Sequence, residues 1–396
     1  MTDLLTIDEA LARILERVSP LSAETVGVEH AAGRVLAEDA CAAVDLPPFR
    51  SSAMDGFAVR AEDTPGTLPV SFRVAAGRPA TRALEPGEAM GISTGGVVPD
   101  GADAVAPIEV VVESGNRIVL EEPVEPGAHI RPVAGDVRAG DTVLTAGLVL
   151  SAARIGALAA AGVASVRCSR PPRAAVLSTG TELRRPGETL GAGEIYEANS
   201  VMLAAALAGA GAEVERLEPV ADDPDAHRAA LERGLTADLL VSSGGVSVGP
   251  HDLVRSVGAE LGVQEVFWRV AVKPGKPVAF GVRDRTLVFG LPGNPVSALV
   301  GFELFVRPAL RALRGETQPG LRFETGTLAE PLRRVATRDQ LVRARSRLDA
   351  GGTVLVPLRG QESHMIVRAA AADALVHVPR GDGELAAGAS TRFLRV

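Results

Sequence analysis

Residues 286–313, TLVFGLPGNPVSALVGFELFVRPALRAL, contain the pattern that decides the fold of the middle of the chain. A short apolar run ends in a loop of glycine, proline and asparagine, and a long apolar stretch with helical spacing follows. Two further apolar runs upstream also end in polar, glycine-containing loops: RAAVLSTG at 173–180 and ADLLVSSGG at 237–245. Strands that alternate with helices predict a mostly parallel sheet with right-handed crossovers, so we expect an α/β domain over residues 171–320.

The sequence on either side of this domain is typical of β structure. Between about 26 and 140, short apolar runs are separated by turn sequences such as TPG, EPG and ESGN, and similar runs return from 321 to the end. Two helices interrupt the pattern. Thr6 and Glu9 form a predicted capping box at the start of the first, and SAARIGALAAAG at 151–162 predicts a buried helix followed by a strand.

Length and composition restrict the class of protein. With 396 residues the chain is too long for one ordinary core, and 46% hydrophobic with 23% charged residues is typical of a globular protein. A net charge of −8 and an aromatic content of 3% argue against a sequence-independent nucleic-acid surface, which needs a basic face. A small anionic ligand is compatible with this balance if positive charge is concentrated locally.

Cysteine and histidine usage argues against zinc and disulfide chemistry. Cys41 and Cys168 lie far apart, and the six histidines show no metal-binding spacing. Any metal is therefore expected to be a hard cation held by carboxylates. The start MTDLLTIDEALARIL is acidic, unlike a secretory signal, and no apolar run reaches the roughly 20 residues of a membrane span. We expect a cytoplasmic protein with no nucleic-acid and no membrane partner.

Both lysines of the chain lie in AVKPGKPV at 271–278, as Lys273 and Lys276, and all other basic residues among the 41 are arginine. Lysine carries a compact point charge whereas arginine carries a planar fork, so the two are not equivalent at a specific site. Chance survival of two surface lysines is the plain alternative. Their position between two loops of unusual composition favours a specific cationic site.

Three loops are expected at the carboxyl ends of strands in the α/β domain, where ligands bind in such sheets. They are STGTEL at 178–183, SSGGVSVGPHD at 242–252 and GLPGNPVS at 290–297. Glycines allow backbone N–H groups to approach a phosphate or a pterin, and the N-terminus of a following helix favours negative charge. Each loop alone is also compatible with an ordinary strand-to-helix turn. The three together, with both lysines between the second and the third, predict a binding site.

Eight motifs occur in order over residues 52–298: SAMDGFAV, GISTGGVVPDGADAV, STGTEL, EANS, DDPDA, SSGGVSVG, KPGKP and GLPGNPVSA. With these motifs the chain resembles the MoeA family of molybdopterin molybdenumtransferases, which includes the E domain of gephyrin. The resemblance extends over essentially the full length. It implies an enzyme that binds adenylylated molybdopterin, inserts molybdate at the dithiolene and releases AMP with the help of a divalent cation, for which we expect Mg²⁺.

The resemblance also implies a multidomain fold with four parts. Residues 1–25 and 141–170 are expected to form an elongated dimerisation segment and residues 26–140 an inserted β-rich domain. Residues 171–320 are expected to form an α/β molybdopterin-binding domain like that of the molybdopterin adenylyltransferases, and residues 321–396 a C-terminal β-barrel. The family is homodimeric, with each site shared between two subunits. A molybdopterin adenylyltransferase and molybdoenzyme acceptors are the further partners that the resemblance implies.

Roles for individual residues follow from matching positions in the family motifs. The chemistry joins a polyanion to an oxyanion and breaks a pyrophosphate bond, so it needs cationic anchors, amide donors and a cation held by carboxylates. The matching catalytic residues are Asp55, Asp136, Glu182, Asp222, Asp252 and Lys273. Asp55, Glu182 and Asp252 are the expected metal ligands. Each acid is alternatively a turn or cap residue, and Asp222 in particular could begin the helix at DPDAH.

The matching substrate-binding residues come from the inserted domain, the three loops, the lysine segment and the C-terminal domain. They are Thr94, Ser178, Thr179, Gly180, Gly244, Gly245, Ser247, Arg269, Lys276, Pro292, Pro295, Arg343 and Ser363. Lys273 matches the family lysine that binds substrate or molybdate, and Arg269 matches a neighbouring basic position. Pro274 and Pro277 are expected to stiffen the backbone around the two lysines.

Four departures from the family pattern leave alternatives open. Arg50 and Ser51 replace an acid and an amide, Gly135 stands where a glutamate is usual, and Glu362 replaces a glycine. A non-catalytic molybdopterin-binding paralogue or carrier is therefore a rival to the enzyme. A scaffold for a partner peptide and an adenylyltransferase are further rivals. The scaffold lacks support from an extra domain or linker. The adenylyltransferase would need the α/β domain alone.

Overall fold

The computed structural model describes residues 4–245 and 253–396. The elements of the first part are, in chain order, α1 (Ile7–Leu15), β1 (Ala23–Gly27), β2 (Ala40–Cys41), β3 (Ser51–Ser52), β4 (Gly56–Val59), β5 (Gly66–Val74), β6 (Ala89–Ile92), β7 (Ala104–Pro107), β8 (Val112–Ser114), β9 (Arg117–Leu120), β10 (Ile130–Arg131), β11 (Thr142–Leu144), α2 (Ala152–Ala160) and β12 (Ser165–Ser169). Short 3₁₀ turns occupy Val28–His30, Ala61–Asp63 and Ile108–Val110.

The second part contains the α/β and C-terminal elements. The α/β elements are β13 (Arg173–Ser178), β14 (Leu183–Arg184), β15 (Ile195–Tyr196), α3 (Asn199–Gly209), β16 (Glu213–Arg216), α4 (Pro224–Gly234), β17 (Leu239–Ser243), α5 (Leu253–Glu260), β18 (Gln264–Trp268), β19 (Val272–Lys273), β20 (Ala279–Arg283), β21 (Thr286–Leu291), α6 (Pro295–Gly301) and, after a π-helical turn at Phe302–Val306, α7 (Arg307–Leu313). The C-terminal elements are β22 (Phe323–Leu328), β23 (Leu332–Arg333), β24 (Asp339–Asp349), β25 (Gly352–Pro357), α8 (Ile366–Ala369), β26 (Ala374–Val378), β27 (Glu384–Leu385) and β28 (Ser390–Arg395).

Helix α1 begins with the predicted capping box. The Thr6 hydroxyl accepts the Glu9 backbone N–H at 3.1 Å, and the Glu9 carboxylate accepts the Thr6 N–H at 2.8 Å. This reciprocal pair confirms the prediction and satisfies N–H groups that the first turn leaves without a helical partner. Ile7, Ala10 and Ile14 enter the core of the α/β domain. The helix therefore packs with that domain, whereas the sequence prediction placed it in the elongated segment.

The elongated segment consists of two chain stretches that run side by side. β1 pairs antiparallel with β12 from Ala23↔Ser169 to Gly27↔Ser165, and β2 pairs with β11. A cluster that includes Leu36 and Cys168 joins both stretches. Residues 26–45 therefore pack with residues 141–170, further along the chain than the predicted boundary, because the outgoing and returning strands must pair before the inserted domain begins.

Helix α2 is present where the sequence predicts it, but it is not a buried helix. Only Leu158 of Ala152–Ala160 is fully buried, and Ser151 makes no capping hydrogen bond through its side chain. Alanine is the strongest helix former and is tolerated at the surface, so an alanine-rich run specifies a helix without specifying burial.

The inserted domain is a compact lobe, residues 46–137, that is closed at its base by a bridge between Leu46 and Val137. Its sheet has the strand order β7-β4-β6-β5-β9-β8. Successive residues of β4 point to opposite faces: Phe57 lies in one hydrophobic cluster and Ala58 in the other. The lobe therefore has its own core on both faces of its sheet.

The α/β domain contains a six-stranded sheet with the order β16-β13-β17-β21-β20-β18. The first four strands are parallel, and β20 and β18 continue the sheet in antiparallel pairs. Val176 and Leu177 of β13 enter separate cores on the two faces, as expected for a sheet covered by helices on both sides. The carboxyl ends of β13, β17 and β21 lead into the three glycine loops.

The C-terminal domain is a closed five-stranded barrel, as the resemblance implied. Its strands follow the order β24-β25-β22-β28-β26, and a β24–β26 pairing closes the circle. β19, which carries Lys273, adds outside the barrel parallel to β24, with Val272 opposite Asp339 and Lys273 opposite Gln340. The barrel thus fixes the backbone of Val272 and Lys273. No helix in the described residues has the length and apolarity that a bilayer span requires.

Candidate active site

The described parts of the three predicted loops, 178–183, 242–245 and 290–297, come together at the carboxyl edge of the parallel strands. Thr179 N–H donates to the Ser243 carbonyl at 3.1 Å, which links the first loop to the second. Gly244 N–H donates to the Leu291 carbonyl at 3.1 Å, and the Ser243 hydroxyl donates to the Pro292 carbonyl at 3.1 Å, which links the second loop to the third. The loops are therefore one connected surface.

Two glycines permit this close approach. A Cβ added to Gly244, which has φ +97°, would lie 2.7 Å from the Thr179 hydroxyl. A Cβ added to Gly180, which has φ +150°, would lie 2.5 Å from a Glu182 carboxylate oxygen. Both positions need glycine because of backbone conformation and because of space. The carboxylate of Glu182 is thereby held against the turn of the first loop. Gly245, with φ +63°, follows in the same connected surface.

Two side chains that were not among the predicted site residues, the buried carboxylate of Glu197 and the amide of Asn199, hold the loops in place by hydrogen bonds. Glu197 is only 3% exposed and accepts the Ser178 hydroxyl at 2.8 Å and the Ser200 backbone N–H at 2.6 Å. Asn199 donates from Nδ2 to the Ser243 hydroxyl at 2.8 Å and to the Gly293 carbonyl at 2.7 Å. Both residues belong to the EANS motif, and that motif was the sequence signal that could have found them. The Ser178 hydroxyl is accordingly engaged inside the protein.

We call residues 269–278 the lysine loop. Its neck is closed by hydrogen bonds from Arg269 N–H to the Val278 carbonyl at 2.9 Å and from Val270 N–H to the Lys276 carbonyl at 3.0 Å. Gly275, with φ +103°, packs toward the carbonyl of Ser297 in α6. The lysine loop therefore lies beside the third glycine loop, as its position in the sequence suggested.

The cationic side chains of the lysine loop have no acidic partner in the part of the chain that the structure describes. Among the residues that the structure describes, Arg269, Lys273 and Lys276 form no ion pair and no side-chain hydrogen bond. Lys273 is exposed and the other two are half-buried. Uncompensated positive charge at one place, in a chain of net charge −8, favours binding of anions there.

The barrel contributes to the same edge through a loop at 358–363. The Ser363 carbonyl accepts the Val296 N–H at 3.1 Å at the start of α6, directly after Pro295. Arg343, in β24, is 2% exposed and donates to the Gly360 carbonyl at 3.0 Å and to Gln361 Oε1 at 3.2 Å. Its remaining terminal nitrogen, Nη1, is buried and has no hydrogen-bond partner among the described residues. Burial lowers the pKa of Arg343 and the charge of Glu362 partly offsets this effect.

Asp55 and Thr94 are brought together in the inserted lobe. The Asp55 carboxylate accepts the Thr94 backbone N–H at 2.8 Å, and Gly95 N–H donates to the Ser52 carbonyl at 2.8 Å. Gly56 has no room for a side chain, since a Cβ would lie 2.0 Å from the Ala106 carbonyl oxygen. Both predicted residues are exposed on this lobe.

The remaining predicted acids are dispersed. Asp136 is exposed at the base of the lobe, where its N–H donates to the Leu46 carbonyl at 2.9 Å. Asp222 is exposed before α4, and the helix cap is Asp223, whose carboxylate accepts the Ala226 N–H at 2.8 Å. Asp222 is therefore not the helix cap that the sequence left open. Ser247 and Asp252 lie outside the described residues.

The described residues of one chain do not bring Asp55 and Glu182, two of the three expected metal ligands, into a metal-binding cluster. In the described ranges, 4–245 and 253–396, no three histidine, cysteine or acidic side chains lie together so that they could hold a metal ion. Glu182 lies in the glycine-loop surface, whereas Asp55 lies on the lobe. No hydrogen bond, ion pair or strand pairing among the described residues joins the lobe to the α/β domain or to the barrel.

Comparison with known proteins decides the family. Three family models match the chain in order: the MoeA N-terminal region (domain I and II) over residues 5–162, a probable molybdopterin binding domain over 175–312 and the MoeA C-terminal region (domain IV) over 325–395. The chain belongs to the MoeA family. The order of parts that the motifs implied is thus confirmed.

Individual relatives agree with this assignment along the whole chain. The molybdopterin molybdenumtransferase 2 of Mycobacterium tuberculosis is 39% identical over 379 residues, which are 92% of this chain and 93% of that protein. The molybdopterin molybdenumtransferase of Haemophilus influenzae is 38% identical over 320 residues, 80% and 79% of the two chains. The crystal structure of a molybdopterin biosynthesis MoeA protein from Pyrococcus horikoshii OT3 matches with a TM-score of 0.86 at 28% identity and covers 100% of both chains.

The departures from the MoeA pattern have structural roles where the structure shows contacts. Both terminal nitrogens of Arg50 donate to the Ala102 carbonyl at 3.3 Å, and Ser51 is buried in the pairing of β3 with β10. Glu362 uses its backbone carbonyl to accept from Arg343 at 3.4 Å, while Gly135 is exposed. None of the four replaces a predicted acid or lysine of the site.

Proposed function

We propose that the chain is a molybdopterin molybdenumtransferase, an enzyme of molybdenum cofactor biosynthesis that inserts molybdate into adenylylated molybdopterin and releases AMP. One observation carries the proposal. Three glycine loops, the first of which carries Glu182, lie beside a lysine loop whose three cations have no ion-pair partner in the described part of the chain. This edge of the sheet offers backbone N–H donors and uncompensated positive charge to a polyanion.

The chain's own groups divide the task by chemistry. Loop glycines let backbone N–H groups approach phosphate oxygens, and ammonium groups attract molybdate as a compact oxyanion. When the pyrophosphate bond breaks, negative charge develops on the departing phosphate, and fixed cations stabilise that charge. Arg343, held by the 358–363 loop, is proposed to present its buried guanidinium to the same anion, together with Ser363.

We further propose that two subunits complete each site. Asp55, Thr94 and Asp136 lie on a lobe with its own core, and the lobe makes no polar contact with the α/β domain of its own chain among the described residues. A homodimer in which the lobe of one subunit faces the glycine loops of the other would join these acids to Glu182 and the lysines. The contact would be isologous, as in most two-fold dimers.

The Mg²⁺ requirement is also a proposal. Carboxylates are suitable ligands for this cation, and the described residues of one chain contain no group of three ligands that would bring Glu182 and Asp55 together. In a shared site they would supply two carboxylates. Bound there, the cation would neutralise charge on the phosphates.

The partners and the location follow from the proposed reaction. A molybdopterin adenylyltransferase would supply the substrate, molybdoenzymes would accept the product, and the reaction would take place in the cytoplasm. These proposals rest on the chemistry of substrate and product.

The direct test is incubation with adenylylated molybdopterin, Mg²⁺ and molybdate while AMP is measured. Wild-type protein should release AMP, Asp55→Ala should abolish release with the fold intact, and Lys273→Arg should impair the use of molybdate. Tight substrate binding without AMP release by the wild type would favour the non-catalytic carrier instead.

A further inference from the structure

We propose that Trp268 is a positioning residue, which orients the guanidinium of Arg269, one of the three cations of the proposed site, toward an oxyanion at the neck of the lysine loop. The inference deepens the proposed function and rests on it, because the anion would be a phosphate of the substrate or molybdate itself.

Arg269 has an unusual backbone conformation. Its φ is +76°, in the left-handed region that glycine and asparagine adopt with less strain than a long side chain. Such strain persists only where the surrounding structure determines it, and it concentrates at functional sites. Here the N–H of Arg269 is fixed by the Val278 carbonyl at 2.9 Å at the closure of the loop. The chain therefore keeps an arginine where a turn alone would favour glycine.

Trp268 fixes the direction of this side chain. The Arg269 Cζ lies 3.7 Å from the centre of the Trp268 ring, and the Arg255 Cζ lies 4.0 Å from the same centre. Arg255 is also bound to the Glu265 carboxylate, at 2.7 Å through Nε and at 3.0 Å through Nη2. The indole of Trp268 therefore contacts two arginines. The charge of Arg255 is compensated by Glu265, whereas Arg269 has no acidic partner among the described residues.

Stacking uses the face of a guanidinium and leaves its edge for hydrogen bonds. The five N–H donors of arginine lie in the plane of the group, in a fork that matches two oxygens of a tetrahedral anion. No acidic side chain in the described residues occupies that edge in Arg269. Val270 N–H bonds the Lys276 carbonyl at 3.0 Å, so the arginine is anchored in the same loop as the two lysines. Arg269 would thus supply a preoriented fork in the loop that also carries the two lysines.

Trp268 is the single tryptophan of the chain, so tryptophan fluorescence reports on the surroundings of this residue. We would titrate the full-length protein with sodium molybdate, inorganic phosphate and AMP in separate arms and follow tryptophan emission. In wild type, at least one anion should change the emission with saturation. Arg269→Gln should raise the Kd of that anion about tenfold or more. The anion affected tells whether the fork binds the phosphate or the molybdate.

Matched variants separate positioning from general loss of charge. Arg285→Gln removes one positive charge from the exposed turn between β20 and β21, at the opposite end of β20 from the lysine loop, and should leave the Kd within about twofold. Calorimetric titration replaces fluorescence for variants of Trp268. Trp268→Leu, which has no aromatic face, should raise the Kd about threefold, and Trp268→Phe should restore most of the affinity.

An Arg269→Gln protein that binds all three anions with wild-type Kd would overturn the inference, as would a Trp268→Leu protein indistinguishable from Trp268→Phe. Neither result touches AMP release, which tests the proposed function separately. Conversely, a wild-type protein that releases no AMP but binds an oxyanion through Arg269 would contradict the proposed enzymatic function. The proposed anion site at Arg269 would still stand.

Discussion

The side-chain amide of Asn199 donates a 2.8 Å hydrogen bond to the hydroxyl of Ser243. A second bond, to the Gly293 carbonyl at 2.7 Å, means that one side chain at the start of α3 fixes the distance between the second and third loops. Ser243 is buried and Gly293 is exposed, and both belong to the loops that we propose bind the substrate. The amide therefore couples the helix to the site.

Asn199→Ala should reduce kcat/KM for AMP release about tenfold or more while lowering the free energy of unfolding by only about 1–2 kcal/mol, because two hydrogen bonds are lost. Steady-state kinetics and urea unfolding measure the two effects. Asn116→Ala, at an exposed turn of the lobe, is the control and should change neither. Equal losses of stability and activity in both variants would contradict a specific role for the amide.

Gly244→Ala should disrupt the contact between the first two loops. The new Cβ would lie 2.7 Å from the Thr179 hydroxyl at a backbone φ of +97°, so both sterics and conformation oppose it. We expect loss of most activity and destabilisation of about 1–3 kcal/mol. Gly209→Ala is the control, because Gly209 lies in α3 with no atom near the added Cβ. This variant should keep wild-type activity and change the free energy of unfolding by at most about 1 kcal/mol. A fully active Gly244→Ala protein would show that the loops need not be this close.

Arg343→Lys tests the fork inside the barrel. A lysine ammonium lacks the planar fork with which Arg343 donates to both the Gly360 carbonyl and Gln361 Oε1 and keeps a further N–H donor for a ligand. The loop that carries Ser363 should therefore lose its anchor. We predict a rise in the KM for molybdate of about tenfold. Arg347→Lys, exposed on the same strand, should behave as wild type. Unchanged KM values in Arg343→Lys would assign the arginine to barrel stability alone.

The ion pair between Asp238 and Arg170 should make stability depend on pH. Burial raises the pKa of Asp238, but two hydrogen bonds from Arg170, at 2.6 and 2.7 Å, and one from Arg173 N–H at 2.8 Å outweigh it, so the net pKa lies below the usual 3.8. A lowered pKa stabilises the fold above about pH 4, and this contribution is lost as the pH falls through the folded-state pKa.

Asp238→Asn should therefore cost about 2 kcal/mol of unfolding free energy at pH 7 and progressively less below pH 4, as measured by denaturant unfolding across pH. Asp284→Asn, on an exposed turn, is the control and should show no such trend. A cost that stays constant down to pH 2 would exclude the ion pair as its source.

The sequence predicted elements whose signals are local and missed relations that depend on packing. The capping box at Thr6 and the strand–loop–helix order around Pro292 depend on neighbouring residues, and the structure confirms them. The burial of α2 and the membership of α1 in the α/β core depend on which face meets which partner, and residue spacing does not specify this. Asn199 was missed because an amide in a helix start is an ordinary cap until its distant acceptors are known.

In the proposed dimer the lobe of one subunit meets the glycine loops of the other, because Asp55 and Lys273 come from parts of the chain with separate cores. Mixing Asp55→Ala and Lys273→Ala proteins, each inactive alone, under conditions that exchange subunits tests it most directly. A shared site predicts recovery of about a quarter of the wild-type rate of AMP release, since half the dimers would be mixed and each would hold one intact site. A mixture as inactive as its components would contradict the shared site.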